Sequence, residues 1–425
     1  MNRRLHVPNT LAEDACIAGV FNTKADDLPA LMRSAQIKPK PLLVCSGGTS
    51  SRCAADGHWT LDLRESYRQL HLDVSSSHVT LGAGHSMKTL LSELARYRRS
   101  FPGGLSGLPG LGYILTGGIS PLSRSQGLAI DQIIEIKGVW GNGESFIQSK
   151  PVASSSLKDQ LTWRGLCGAA PFLAVITGLK LATQPLKPLR IWQFNLHYEQ
   201  LLDLIHQAEI WPQSMSLQWI WGNEIKAYGV SILNDNDGAE TFKQLQKTLL
   251  CNNIIKIDDV AGLHELPPFM LPTCSKAPTD RFHSEVVGLL SPTWGNSCDQ
   301  LMKSLADLMA KRPDPRCCVA AQQLGGATRQ ISKDASSFIH RQAIWKPWIT
   351  AAWPAGDTHI KQQSLNWLEQ VWATLEPCCD GVHLAQMHPH LPWHQRELKA
   401  AFGEWLPGLQ ELKACHDPYG TLPPL

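Results

Sequence analysis

The glycines of one short segment are the residues best suited to hold a ligand. Residues 101–131 read FPGGLSGLPGLGYILTGGISPLSRSQGLAID, and seven glycines fall within the sixteen residues 103–118. Glycine has no Cβ, so its backbone can adopt positive φ and present N–H groups to a flat or charged ligand. Leucine, isoleucine and tyrosine side chains are interspersed among these glycines, and a flexible linker would not need them. The segment therefore predicts a ligand-binding loop that is fixed on a core.

A second small-residue turn precedes this loop. Residues 41–44 read as a short buried strand that runs into residues 46–50, SGGTS, whose backbone N–H groups and hydroxyls suit a phosphate. Residues 79–84 read as a strand that ends in a turn, and residues 87–97 have the apolar spacing of a helix. Strand, phosphate turn, strand, helix and glycine loop form an ordered series, which is much harder to obtain by chance than one motif.

This series resembles the FAD-binding domain of the vanillyl-alcohol-oxidase (PCMH-type) flavoproteins over about residues 19–183, in particular the berberine-bridge-enzyme-like branch. Residues 323–327 (QLGGA), 336–341 (SSFIHR) and 401–420 resemble that branch's substrate domain and closing segment. The resemblance implies an α+β fold with three parts. These are a two-subdomain FAD-binding domain over 1–188, an α+β substrate or cap domain with an antiparallel sheet and helices over 189–375, and a C-terminal segment over 376–425 that packs back on the FAD domain.

The resemblance also implies FAD as the cofactor, with contacts from both loops and from a strand over residues 163–177, which resembles the last strand along the cofactor. The expected FAD-binding residues are Ser46, Gly47, Gly48, Thr49, Ser50, Pro102, Gly103, Gly104, Leu105, Ser106, Gly110, Leu111, Gly112, Tyr113, Leu115, Thr116, Gly117, Gly118, Ile119, Val175, Ile176 and Thr177.

Two departures from the family bear on mechanism. Many berberine-bridge-like enzymes attach FAD covalently through a histidine and a cysteine, and Thr49 and Ser106 stand at those positions. Neither hydroxyl can replace an imidazole or a thiol, so FAD is expected to bind noncovalently. The family's C-terminal Tyr-x-Asn, whose tyrosine acts as a base, corresponds here to residues 384–386, Leu-Ala-Gln. Gln386 could keep the role of the amide, but Leu384 cannot take a proton.

An FAD enzyme that oxidises an alcohol needs a general base within hydrogen-bond reach of the hydroxyl. The sequence leaves the catalytic residue open and offers only weak candidates, each of which could equally be a structural hydrogen-bonded side chain. They are His388, His340, Tyr228 and Gln386, with His390 and His394 as further histidines near the tail. Arg341 could orient an anionic substrate or, more commonly, pair with a carboxylate.

Local patterns within residues 189–375 predict an α+β domain. Residues 217–221 and 225–233 read as a hairpin, and residues 198–208, 242–250 and 298–311 read as helices. Residues 263–294 contain five prolines and read as a long irregular loop near the mouth of the site.

Composition excludes several classes of function. The chain has 425 residues, 43% of them hydrophobic, and a formal net charge of +2. This charge gives no electrostatic footprint for nucleic acid or an anionic membrane, and no apolar run approaches a membrane span. The twelve cysteines are scattered, which favours reduced thiols in a cytoplasmic protein. No metal site is expected, because the histidines and cysteines of residues 378–394 lack the usual ligand spacing.

The sequence therefore predicts an FAD-dependent oxidoreductase. It would oxidise a hydroxyl-bearing small molecule, such as a sugar, a hydroxy acid or another alcohol, by hydride transfer to noncovalently bound FAD, and pass electrons to oxygen or another acceptor. The alternative is a flavin-binding or degenerate family member without oxidase turnover, which acts as a partner subunit or binding module.

Overall fold

The computed structural model describes residues 16–249, 254–267, 282–294 and 298–425. In the described residues, the N-terminal half contains a three-stranded sheet, a five-stranded sheet and a two-stranded pair with flanking helices, and the C-terminal half contains a large antiparallel sheet covered by helices. The predicted α+β class is confirmed. Among the described residues, no helix is both long and apolar enough to cross a membrane.

The N-terminal half divides its strands between a parallel and an antiparallel sheet. The three-stranded sheet has the order β1-β3-β2, the five-stranded sheet has the order β4-β5-β9-β7-β8, and β6 pairs with β10. The strands are β1 Gly19–Phe21, β2 Leu43–Cys45, β3 Trp59–Asp62, β4 Leu70–Asp73, β5 His78–Gly82, β6 Arg99–Ser100, β7 Ile133–Trp140, β8 Ser145–Ser149, β9 Ala174–Ala182 and β10 Gln184–Pro185. The phosphate turn at residues 46–50 begins where β2 ends.

Five helices complete this half: α1 Leu28–Ala35, α2 Met87–Arg96, α3 Leu111–Leu115, α4 Ser123–Gln126 and α5 Leu157–Leu173. Helix α2 confirms the predicted helix, since Ser86 Oγ accepts a hydrogen bond from the Thr89 N–H at 3.4 Å and caps its first turn. Helix α3 begins within the glycine loop, so the loop ends on a helical turn whose Leu111, Ile114 and Leu115 are buried.

The predicted cofactor strand over residues 163–177 is wrong for most of its length. Residues 163–173 belong to α5, and only from Ala174 does the chain enter β9. Most of these residues are buried, so the apolar pattern does not distinguish a core helix from a core strand. The helix is kinked at Cys167 and Gly168, and Gly168 has φ of +128°. Glycine is the residue that adopts such a backbone without a Cβ penalty.

The C-terminal half is organised around an eight-stranded sheet of order β14-β11-β13-β12-β16-β17-β15-β18. Its strands are β11 Leu189–Leu196, β12 Met215–Trp221, β13 Ile225–Ile232, β14 Ile254–Val260, β15 Phe282–Leu290, β16 Cys318–Gln323, β17 Trp345–Pro354 and β18 Gly381–Val382. Its helices are α6 Tyr198–Ala208, α7 Asn236–Leu249, α8 Cys298–Ala310 and α9 Thr358–Leu375. The β12–β13 hairpin and the three predicted helices are confirmed.

The predicted irregular loop over residues 263–294 is wrong for residues 282–290, which form the nine-residue strand β15. Pro267 and Pro292 flank this strand, and no proline lies inside it. The density of prolines around the strand concealed its apolar alternation. Residues 268–281 of the predicted loop lie outside the described residues.

The two faces of the large sheet differ in chemistry. One face carries Trp219, Val319 and Ile349, which are buried in the main core with residues of α8 and α9. On the other face, cross-strand pairing aligns Gln218 with Gln322, and Gln322 with Lys346. Because alternate residues of a strand point to opposite faces, these polar side chains lie away from the helical core. All three are nonetheless buried.

The C-terminal segment contains α10 His394–Phe402 and α11 Leu406–His416 and contacts the N-terminal half. The Leu42 N–H donates to the Thr421 carbonyl at 2.7 Å, and Lys413 Nζ donates to the Phe172 carbonyl at 2.8 Å. Strand β18 belongs to the large sheet but follows residue 375. The limits at 188 and 375 stay a prediction.

One buried arginine joins the two halves. The guanidinium of Arg124, in α4, donates to the carbonyls of Met215 and Leu324 at 2.7 Å and of Trp211 at 2.6 Å. Burial lowers the pKa of Arg124 to about 10, so the side chain stays charged at neutral pH. Gly326 packs against the backbone of Arg124 so closely that a Cβ would collide with its carbonyl oxygen.

We expect Arg124→Met to lower the free energy of unfolding by roughly 3 kcal/mol, because several buried carbonyls lose a charged donor at once. Urea denaturation followed by circular dichroism measures this loss. Arg96→Met is the control, since the Arg96 side chain is largely exposed and pairs only with Glu93 in the described structure. Equal effects of the two substitutions would contradict the role of Arg124.

Candidate functional site

The two small-residue loops line a common cavity of about 160 Å³. From the phosphate turn and the glycine loop, the lining includes Ser46, Gly47, Gly48, Thr49, Ser50, Gly110, Leu111, Gly112, Tyr113, Leu115 and Thr116. These loops are separated by about 60 residues in the sequence, and the fold brings them together as the ordered series of motifs predicts.

The phosphate turn and the glycine loop contact each other through their backbones and through the Ser46 hydroxyl. Ser46 Oγ accepts a hydrogen bond from the Leu111 N–H at 3.1 Å and donates to the Ala83 carbonyl at 2.7 Å. A Cβ at Gly47 would collide with the backbone nitrogen of Gly110, and a Cβ at Gly110 would lie 2.5 Å from Ser46 Oγ. Both glycines are therefore required by close approach of the two loops.

The end of the glycine loop is held in a strained conformation that glycine tolerates. Gly117 and Gly118 have φ of +121° and +69°, and a Cβ at Gly118 would collide with Ala129. The Tyr113 hydroxyl donates to the Ile119 carbonyl at 2.7 Å and accepts from the Ile119 N–H at 3.1 Å. This ring therefore fixes the loop from inside.

Other predicted FAD-binding residues do not line the cavity. Pro102, Gly103 and Gly104 are buried, and a Cβ at Gly103 would lie 2.8 Å from Met87 Sδ, so this part of the loop packs on α2. Leu105 is half-buried, and Ser106 is exposed, with its hydroxyl accepting from the Leu108 N–H at 3.2 Å. The remaining predicted residues outside the lining are Gly117, Gly118, Ile119, Val175 and Thr177.

On β9, the strand alternation separates the three predicted residues. Ile176 lines the cavity together with Ala174, whereas Val175 and Thr177 point to the other face. The Thr177 hydroxyl donates to the Lys137 carbonyl at 3.2 Å within the five-stranded sheet.

Arg52 is a cavity-lining cation that the sequence reasoning missed. It lies directly after the phosphate turn, and its Nη1 donates to the Leu384 carbonyl at 2.8 Å. Burial lowers the pKa of Arg52 to about 10, so it remains protonated at neutral pH. Ala385 and Pro389 of the C-terminal segment also line the cavity. The cavity wall thus combines backbone N–H groups, hydroxyls and a positive charge, which suits an anionic ligand.

The polar face of the large sheet adds a second group of buried side chains. Gln218 Oε1 and Gln322 Nε2 are buried and have no hydrogen-bond partner in the described part of the chain. Lys346 Nζ lies 4.3 Å from the centroid of the Trp348 ring, and burial lowers the pKa of Lys346 to about 7. Buried polar atoms are normally paired, so unpaired ones in a row mark a place where water or a ligand binds.

His383 is not part of the cavity lining but lies between the cavity-lining Tyr113 and the polar sheet face. A Cβ at Gly117 would lie 3.4 Å from His383 Nε2, and the imidazole also contacts the rings of Tyr113 and Phe338 at centroid distances of 6.4 and 6.1 Å. Burial, Lys346 and Arg52 together hold the pKa of His383 well below its usual range. His383 is not among the site residues predicted from the sequence, because the family's Tyr-x-Asn motif corresponds to residues 384–386, one position further along.

Two of the four candidate catalytic residues lie on the polar sheet face. Tyr228 pairs with Gln218 across β12 and β13 and is buried, and burial raises its pKa. Gln386 packs over Gly288, and its Oε1 would collide with a Cβ placed at Gly288. Lys346 Cε would lie 3.1 Å from the same Cβ position. His340 lies elsewhere, with its Nε2 2.7 Å from the Ala400 carbonyl.

His388 is held between two carboxylates. Its Nδ1 lies 2.7 Å from Glu397 Oε1 and its Nε2 lies 3.2 Å from Glu285 Oε2. Burial alone would lower the pKa of His388, but the two carboxylates outweigh it and raise the pKa to about 10. His390 and His394 flank the same two carboxylates at 3.5 and 3.7 Å. This cluster fastens the C-terminal segment to β15 with charge.

The expectation for Arg341 has a structural outcome. Arg341 pairs with a carboxylate, since its Nη2 lies 2.9 Å from Asp131 Oδ1 with the arginine fully buried. Within the described ranges, no group of three His, Cys, Asp or Glu side chains is arranged to hold a metal ion.

Comparison with known proteins gives concordant results. Residues 18–147 match the family model described as FAD binding domain. The uncharacterized FAD-linked oxidoreductase YgaK of Bacillus subtilis (strain 168) is 20% identical over 376 residues, which is 81% of this chain and 76% of that protein.

Solved structures with the same fold include BBE-like 1 of Physcomitrella patens, with a TM-score of 0.81 and 16% identity over 99% of this chain and 93% of that one. A chitooligosaccharide oxidase superposes with a TM-score of 0.78 and 17% identity over 95% of this chain and 90% of that one. The expected berberine-bridge-like fold is confirmed.

The His388 cluster predicts a stability that depends on pH. The pKa of His388 is raised from 6.5 to about 10, so its stabilisation is fully present below pH 6.5 and is lost as pH rises through about 10. We expect His388→Gln to cost about 3 kcal/mol at pH 6, because two buried carboxylates lose their counter-charge, and much less at pH 10.

Urea denaturation of both proteins at the two pH values measures this difference. His71→Gln, at an exposed histidine of β4, is the matched control and should have little effect at either pH. A cost of His388→Gln that is unchanged between pH 6 and pH 10 would contradict the charged pairing.

Proposed function

We propose that this chain, which belongs to the FAD-linked oxidoreductases built on a PCMH-type FAD-binding domain, oxidises a hydroxyl-bearing small molecule by hydride transfer to FAD. The observation that carries the proposal is the junction at His383 between the cavity of the two loops and the row of unpaired polar groups on the large sheet. A cofactor bound in the cavity would face a substrate bound on the polar face of the large sheet.

The residues of the cavity fit FAD. The turn at residues 46–50 supplies backbone N–H groups and hydroxyls for the pyrophosphate, and Arg52 supplies a positive charge in the same wall. The glycine loop leaves room for a flat ring next to its backbone, since Gly112 has no atom within 4 Å of its Cβ position. When bound, FAD supplies a hydride acceptor at N5 of its ring.

FAD binding is proposed to be noncovalent. Thr49 lines the cavity but carries a hydroxyl, and Ser106 is exposed outside it with its hydroxyl engaged by the Leu108 N–H. Neither side chain offers the imidazole or thiolate nucleophile that a flavin linkage uses. The bound cofactor is then retained by noncovalent contacts with the two loops and the other residues of the cavity lining.

The polar sheet face is the proposed substrate site. Glutamine side chains can donate to and accept from hydroxyls, and the indole of Trp348 offers an apolar surface beside Lys346. A sugar, a hydroxy acid or another alcohol meets these requirements. The fold shared with a chitooligosaccharide oxidase supports the sugar among them. Oxygen or another acceptor would take up the electrons, and a cytoplasmic location is proposed because the twelve cysteines are scattered along the sequence.

The second candidate is flavin binding without oxidase turnover, in a partner subunit or binding module. Leu384 at the position of the family's tyrosine favours it, and so does the engagement of His388 and His340 in structural contacts. The unpaired buried groups beside the cavity favour turnover, because a binding module gains nothing from their desolvation.

We expect the purified protein to be yellow and to release its colour into the supernatant when it is precipitated with acid. The reason is that noncovalent FAD leaves when the loops unfold. Visible absorbance of the two fractions measures the outcome. A yellow pellet would contradict noncovalent binding, and a protein that stays colourless after incubation with FAD would contradict the proposed function.

Gly47→Ala should weaken FAD binding at least about tenfold, because its Cβ would push the phosphate turn away from Gly110. Fluorescence titration of the cofactor-free protein with FAD gives the affinity, and far-UV circular dichroism reports whether the variant is folded. Leu108→Ala is the control in the neighbouring loop, since Leu108 is 71% exposed. Unchanged affinity of a folded Gly47→Ala variant would show that FAD binds elsewhere.

A further inference from the structure

We infer that His383 accepts the hydroxyl proton of the substrate, an inference that rests on the proposed function. His383 follows β18 at the edge of the large sheet, and its backbone N–H donates to the Gly288 carbonyl at 2.8 Å. This hydrogen bond extends the sheet and aims the side chain at the glycine loop. The imidazole therefore reaches Gly117 from the substrate side, where a cofactor and a substrate would meet.

The ring nitrogens of His383 are available for a ligand. Both are buried, and neither makes a hydrogen bond of normal length and angle among the residues that the structure describes. The amide of Gln386 is the neighbouring polar side chain, and its contact favours the protonated ring less than burial and the basic groups oppose it. Desolvating a polar group without a partner costs free energy, so such a histidine is expected where a ligand completes its hydrogen bonds. By contrast, His388 and His340 already make hydrogen bonds or ion pairs inside the protein.

The surroundings keep His383 in its proton-accepting form. Lys346 from β17 and Arg52 from the segment after the phosphate turn are the basic groups that act on it. Arg52 is charged at pH 7, and Lys346, with a pKa of about 7, is charged in part. Tyr113 from α3, Phe338 and Gln386 complete the neighbourhood with rings and an amide. Burial and the two basic groups disfavour the imidazolium, so the ring is neutral at pH 7.

The other ionisable groups on the sheet face fit this role less well. Burial raises the pKa of the Tyr228 phenol, so its phenolate is scarce at neutral pH. Lys346 Nζ lies over the Trp348 ring, and the Gln386 amide does not ionise at physiological pH. His383 differs from these candidates because its Nε2 approaches the glycine loop. This atom would lie 3.4 Å from a Cβ placed at Gly117.

The proposed step balances in atoms and electrons. The substrate O–H bond would break, and its proton would go to a ring nitrogen of His383. The C–H bond of the carbon that bears the hydroxyl would also break, and its hydride would go to oxidised flavin. A carbonyl product forms, the flavin is reduced by two electrons and His383 becomes an imidazolium. The imidazolium of His383 is repelled by Lys346 and Arg52. The negative charge that the hydride brings to the site would offset this repulsion.

The test compares His383→Gln and His383→Ala with the wild type and with His71→Gln. Each FAD-loaded protein is mixed anaerobically with cellobiose, chitobiose or glycolate, and loss of the oxidised flavin absorbance is followed over a range of pH. We expect both His383 variants to bind FAD normally and to be reduced about 100-fold or more slowly than the wild type. Added imidazole should accelerate His383→Ala but not His383→Gln, since only alanine leaves space for it.

A second readout does not depend on turnover. Proteins labelled with ¹⁵N-histidine, with and without His383→Gln, identify the His383 signal by NMR, which should stay in the neutral form at pH 7. Lys346→Met removes one of the basic groups, so we expect protonation of His383 to occur at a pH higher by roughly one unit.

Three results would overturn the inference. Reduction of His383→Gln within threefold of the wild type would exclude His383 as the proton acceptor while leaving the proposed function intact. A cationic His383 at pH 7 would exclude it independently of any substrate. If none of the three probes reduces the wild-type flavin, the proposed function fails for these substrate classes and the inference falls with it.

Discussion

The rest of the site depends on the close approach of two backbone segments at Gly47 and Gly110. Ser46 joins them by accepting from the Leu111 N–H and donating to the Ala83 carbonyl, so one hydroxyl positions three segments. This approach places the phosphate turn and α3 on either side of one cavity. It is possible only because neither segment carries a Cβ at the point of contact.

The C-terminal segment completes the site from the other side. The charged cluster of His388, Glu285 and Glu397 fastens it to β15, and Arg52 holds the Leu384 carbonyl from the phosphate turn. Residues between these two attachments, including Ala385 and Gln386, are thereby brought to the cavity and to the polar sheet face. The histidines that looked catalytic in the sequence thus serve to position the segment that carries His383.

The sequence predicted features that depend on neighbouring residues in the chain. It did not predict features that depend on contacts between distant residues. The phosphate turn and the glycine loop were predictable, because small residues clustered at these positions indicate ligand-binding turns more than regular helices or strands. Residues 163–173 and 282–290 were misassigned, since a buried apolar run has no distinguishing period and flanking prolines hide a strand. His383 is separated from Gly117 by more than two hundred residues, so no local pattern could show that they meet. The same holds for Arg124 and its carbonyl partners across the junction of the two halves.

The most direct test of this account is an experimental structure of the protein loaded with FAD. We predict the pyrophosphate at residues 46–50 and the flavin ring beside the glycine loop, in contact with His383 and open to Lys346 and Gln322 on the sheet face. A flavin ring that lies away from His383, or FAD bound outside the cavity of the two loops, would contradict it.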